Sequence, residues 1–227
     1  MHDSEPRNSS SPGLGSSNAG PPGVLLLLRL AAVALIFAFT AFFPGAPGDH
    51  PDKPDGFVAG FLHPIQGIDH RLAMVAVGMW GVSLGRPLIW ALPVAFPLVM
   101  AIGGIMGMSH MPFPNPSVEQ LVIALSVLIL GLAVACDWEA PVPVAIAVVS
   151  VFAIFHGYAH GREYLKPEAR DAYAVGFVLS TGMLHIAGIA VGWATDFPRG
   201  TIILRAAGAM TALAGCAYIL MGFGVFA

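Results

Sequence analysis

Within residues 61–71 (Phe-Leu-His-Pro-Ile-Gln-Gly-Ile-Asp-His-Arg), His63, Gln66, Asp69 and His70 can each hold a proton, meet a cation or make a hydrogen bond. Apolar sequence continues on both sides. A charged group at bilayer depth costs about 2.5–3.5 kcal/mol even on the gentlest scale, so polar side chains there are by default a functional hypothesis. Two imidazoles and a carboxylate within eight residues are the donor set of a divalent metal site. A second group lies far along the chain. His156 and His160 are i and i+4, and Glu163 is three residues further on, so a helix would stack all three on one stripe. An i, i+4 histidine pair with a carboxylate presents two imidazoles to one metal.

In an unbroken helix His63 and His70, seven residues apart, would share a face, and Asp69 would point about 120° away. Pro64 and Gly67 argue against an unbroken helix. A broken turn would aim Asp69, Gln66 and freed carbonyls at a cavity. His110 stands in a methionine-rich run with Met106, Met108 and Met111. That run reads as packing before it reads as a soft-metal patch. His185 is a lone intramembrane histidine. His50, with Asp49, Asp52 and Asp55, reads as a solvated linker or a cation-gathering vestibule.

The elements that must position these groups are membrane helices. Only 10% of the 227 residues are charged and 56% are hydrophobic, whereas a soluble domain carries roughly 25% charge. The net charge of −3 and the lack of a basic run argue against nucleic acid. Cys136 and Cys216 sit in apolar runs and read as small buried hydrophobes, not as a disulfide or a cysteine zinc site.

Residues 1–23 are rich in Ser, Gly, Pro and Asn and read as a disordered polar tail. Residues 24–43 form an apolar segment about 20 residues long, enough to span a bilayer. It is either a retained helix or a signal peptide; the poor cleavage site at Phe42-Phe43-Pro44 favours the helix. A polar linker, 44–55, follows. Six apolar segments then run over 57–84, 88–108, 118–136, 141–160, 173–194 and 201–226, divided by short Pro- and Gly-containing links. The expected fold is therefore all-α: a polytopic membrane bundle of six core helices, residues 56–227, plus the N-terminal segment. Glycines four apart, at 81/85, 103/107, 157/161 and 188/192, read as ordinary close packing of helices. Trp80, Trp90, Trp138 and Trp193 read as an interfacial belt. In a serpentine bundle the start of the first core segment and the ends of the second and fourth share one face. Seven of the eight histidines then collect there.

His63-Pro64-x-x-Gly67-x-Asp69-His70, followed by Leu72-Ala73-Met74-Val75-Ala76-Val77-Gly78, closely resembles the first signature of the HupE/UreJ family. Phe155-His156-Gly157-x-Ala159-His160-Gly161-x-Glu163 resembles its second. The likeness covers roughly residues 57–226. These proteins accompany hydrogenase or urease operons and are regarded as nickel permeases. The resemblance therefore implies a multi-pass protein of the cell (inner) membrane whose histidine-rich face is extracytoplasmic. It implies His63, Asp69 and His70 in metal recognition and passage, with His156, His160 and Glu163 as partners; the residue types themselves add His50, His110, His185 and Gln66 as secondary candidates. The cargo would be Ni²⁺, with Co²⁺ and Zn²⁺ as alternatives, feeding hydrogenase or urease maturation. No organic cofactor or enzymatic activity is implied, and self-association into a homo-oligomer is left open. The rival from another class is a membrane-embedded metal-dependent hydrolase. There the same His/Asp set would hold zinc and Glu163 would act as general base.

Overall fold

A backbone amide in hydrocarbon has no water to bond to, so each long apolar segment must satisfy itself as a helix. The computed structural model describes residues 56–109, 111–112, 115–163 and 169–222, and shows seven α-helices and no strand among them. These are α1 (Gly56–Gln66), α2 (Ile68–Leu84), α3 (Leu88–Met108), α4 (Pro116–Ala135), α5 (Val142–Glu163), α6 (Arg170–Gly192) and α7 (Gly200–Gly222). A 3-10 turn, Trp193–Asp196, precedes α7. Helices α3 to α7 are each long and apolar enough to cross a membrane, which makes this an integral membrane protein. The tail, the N-terminal apolar segment, the linker, His50 and His110 lie outside the described residues.

The first of the six expected core spans is not one unbroken helix. Residues 57–84, read as one span, are two helices. Pro64 has no N–H for the helical ladder, and Gly67 takes an extended conformation (φ −73°, ψ 116°). The Gly67 N–H still bonds to the His63 carbonyl at 3.3 Å, and the Arg71 N–H to the Gly67 carbonyl at 3.0 Å, so α2 restarts at once. A β-carbon on Gly67 would stand only 3.0 Å from Asp69 Oδ1 and from His70 Nδ1. Glycine at the break is what lets these two side chains fold back against it.

The tightest pairs are not consecutive helices. α3 packs on α5, α4 on α7, and α1 and α2 on α6, with α2 central. A β-carbon at Gly103 would overlap the Ile154 carbonyl, and one at Gly157 the Met100 carbonyl, so α3 and α5 run parallel in backbone contact. Gly78 and Gly188 do the same for α2 and α6, and Gly131, Gly208 and Gly215 for the antiparallel α4–α7 pair. Arg205 on α7 donates from Nε to the Ala135 carbonyl at 2.8 Å, closing the C-terminal end of α4. Trp80, Phe96, Met74 and Leu92 fill the centre. Val94, Leu98, Ile102 and Ile105 on α3 and Val175, Leu179 and Ile186 on α6 are exposed, as lipid-facing residues are.

Two sequence readings are overturned here. Cys136 and Cys216 are exposed, not buried; an apolar run does not separate core from lipid face. Trp80 is fully buried, not a belt residue: it stacks on Trp138 (5.4 Å between centroids, 22°). Its Nε1–H also donates to the Trp138 carbonyl at 3.0 Å. Trp90 and Trp138 are exposed. Trp80→Phe keeps the aromatic packing and loses the bond. It should destabilise the protein by about 1–2 kcal/mol, read as a lower thermal midpoint of the detergent-purified chain.

Candidate metal-ion site

The break at Gly67 sets His63 at the end of α1 and Asp69 and His70 in the first turn of α2. α5 brings His156 and His160 opposite them. The four imidazoles form one packed group. The His160 ring lies edge-on to His63 at 4.5 Å and to His70 at 4.4 Å, and the His70 ring lies edge-on to His156 at 4.8 Å. His70, His156 and His160 are buried, and His63 is half-buried. Phe177 on α6 closes the group from one side, 4.7 Å from the His160 ring and 5.9 Å from that of His63.

The hydrogen bonds fix the chemistry of the rings. His70 Nδ1–H donates to Asp69 Oδ1 at 3.2 Å. Its Nε2 then offers a lone pair, and His160 Nε2–H donates to it at 2.6 Å. Asp69 thus orients His70 as a carboxylate behind a metal-binding histidine does. His156 spends its Nδ1–H on the Phe152 carbonyl at 2.9 Å, and its Nε2 has no hydrogen-bond partner among the described residues. Among the described residues no three His, Cys, Asp or Glu side chains converge as a ready metal cage. With metal–nitrogen bonds of about 2.0–2.1 Å, two imidazoles on one ion stand roughly 3 Å or more apart. For these two rings to share one ion the His70–His160 pair would have to open, with His160 carrying its proton on Nδ1 instead of Nε2.

A cavity of about 750 Å³ leads from this cluster towards the ends of α5 and α7 and the start of α4. Asp69, His70 and His160 line it together with Glu119, Arg162 and Tyr218. Glu119 was not singled out from the sequence. The α4 start is set by Asn115, whose side chain accepts from the Ser117 N–H at 2.9 Å, with Pro116 at the first helical position. That start places the Glu119 carboxylate in the first turn, 5% exposed and 4.0 Å from Arg162 Nη1. The only sequence signal was an acid just inside an apolar segment, which also describes an ordinary favourable charge at a helix N-terminus. Tyr158, also on α5, donates from its hydroxyl to the Met111 carbonyl at 2.8 Å.

Gln66, expected to turn inward, is exposed: it ends α1, where buried Pro64 and Ile65 already hold the inner side. His185 is fully buried on α6, next to the cluster rather than in it. Glu163 ends α5, and its side chain lies outside the described residues.

Fold and cluster together define a helical membrane protein with an internal histidine–aspartate centre. The sequence profile of the HupE / UreJ protein family matches residues 27–218, and the chain belongs to that family. It is 42% identical to "Protein HupE" of Rhizobium leguminosarum bv. viciae over 166 residues, 73% of this chain and 85% of that protein. No solved structure matches the chain.

Proposed function

We propose that the chain is a permease for a divalent transition-metal ion, Ni²⁺ first, with Co²⁺ and Zn²⁺ as competitors. It would lie in the cell membrane with the histidine-bearing face outside the cytoplasm and supply hydrogenase or urease maturation. The observation that carries this is the packing of His63, His70, His156 and His160, from three helices, with Asp69 into one largely buried group beside a cavity holding a second carboxylate. Imidazole suits nickel, and Asp69 and Glu119 offset part of its charge. The ion would shed water in the cavity and part His70 from His160, whose proton shifts from Nε2 to Nδ1 so that both Nε2 lone pairs can face the ion. It would then be held by few enough donors to leave again. Glu163 on α5 remains a proposed partner at the rim.

The test is uptake of radiolabelled Ni²⁺ by transport-deficient cells making the full chain, with Co²⁺ and Zn²⁺ as competitors. Saturable uptake supports the permease. No uptake, with stoichiometric metal retained through purification, would instead mark the membrane-embedded hydrolase. Glu119→Gln keeps the shape and removes the charge, and should lower uptake about tenfold.

A further inference from the structure

Past the cluster, α6 carries three more polar side chains, Ser180, Thr181 and His185, each fully buried. Neither hydroxyl and neither ring nitrogen of His185 has a hydrogen-bond partner among the described residues. Buried hydroxyls in a helix usually turn back to the carbonyl a turn earlier; these do not. Leaving such groups unmatched is costly, and an apolar residue of similar size would fill each place. Helix packing does not need them, since α6 meets α2 through the backbone at Gly188 and Gly78.

Their placement is directional. Phe177, Thr181 and His185 are spaced i, i+4, i+8 and so form one stripe. Phe177 touches the rings of His160 and His63, and His185 lies about 12 Å further along the axis at 1.5 Å per residue. From α3, the Phe96 ring packs edge-on to both His156 (5.7 Å) and His185 (5.4 Å). A single aromatic ring therefore touches both His156, whose Nε2 is unbonded, and His185, whose ring nitrogens are both unbonded among the described residues.

We propose that His185 and Thr181, with Ser180 beside them, form a second, inner cation station, joined to the four-histidine cluster through Phe96, which packs against both. An ion leaving the cluster would pass that ring and be met by one imidazole and one or two hydroxyls. A donor set this sparse holds a partly hydrated divalent ion weakly, as a transit site must. The inference rests on the transport reading above.

The experiment uses the full chain in liposomes and Ni²⁺ or Cd²⁺ supplied alone, with metal binding measured in parallel on detergent-purified protein. His185→Phe fills the volume without a donor, Thr181→Val removes only the hydroxyl, and His185→Cys substitutes a softer donor. His185→Phe is expected to retain Ni²⁺ binding at the cluster while transport falls about tenfold or more, and Thr181→Val to lower it less. His185→Cys should raise the cadmium-to-nickel transport ratio at least about tenfold, because thiolate selects softer ions. Should His185→Phe fail to fold, the ratio in His185→Cys and the Thr181→Val rate carry the test. Wild-type rates in Thr181→Val and His185→Phe, or an unchanged ratio in His185→Cys, overturn the inner station alone. Wild-type liposomes that take up no Ni²⁺ overturn the transport reading and this one with it.

Discussion

Substituting His70 by alanine is expected to cut nickel uptake about 100-fold or more while the protein still reaches the membrane. His70 is tied to Asp69, His160 and His156 at once: it donates to the first, accepts from the second and packs on the third. Alanine removes the lone pair that Asp69 has oriented and strands the His160 N–H that pointed at it. Asp69→Asn tests the same arrangement from behind. It keeps an acceptor for the His70 Nδ1–H but removes the charge, and should cost about 10–100-fold. Gln66→Ala, three residues from His63 but exposed, should stay within about twofold of wild type. Radiolabelled uptake, normalised to the chain found in membranes, reads all three. Equal uptake by His70→Ala and wild type would remove the cluster from the transport path.

The sequence spoke most clearly where a polar group interrupts lipid-compatible sequence. Histidines at i and i+4 in α5, and the pair flanking Pro64 and Gly67, could be brought to one face on spacing alone, and the structure packs their rings together. Spacing did not reveal which helices pair. In water, an apolar stripe marks the buried side. In lipid both sides are apolar, so α3 shows Val94 and Leu98 outward and Leu92 and Phe96 inward with no difference in character. Cys136, Cys216 and Trp80 were misread for that reason. Glu119 was missed for another. A lone carboxylate near a helix start is common, and only the cavity it shares with His70 and His160 gives it meaning.

The largest stability effect is expected at Gly157. Gly157→Ala should destabilise the protein by about 3 kcal/mol or more. Its β-carbon would overlap the Met100 carbonyl oxygen and stand 2.8 Å from the Gly104 nitrogen. Both neighbours are backbone within α3, so no side chain can turn away and the two helices must separate. Gly161 meets the Gly104 carbonyl, Gly103 the Ile154 carbonyl and Gly107 the Tyr158 carbonyl, so separation at one point loosens the whole contact. His156 and His160 each immediately precede one of these α5 glycines, so the contact that joins α3 to α5 also sets the angle at which both imidazoles face His70. Stability and metal handling should therefore fail together in Gly157→Ala. Gly182 on α6 is the control. A β-carbon there has no atom within 4 Å, and alanine should be neutral or slightly stabilising through helix propensity. Thermal unfolding in detergent, alongside uptake in cells, distinguishes the two: a Gly157→Ala protein with an unchanged midpoint would mean that α3 and α5 are not in backbone contact.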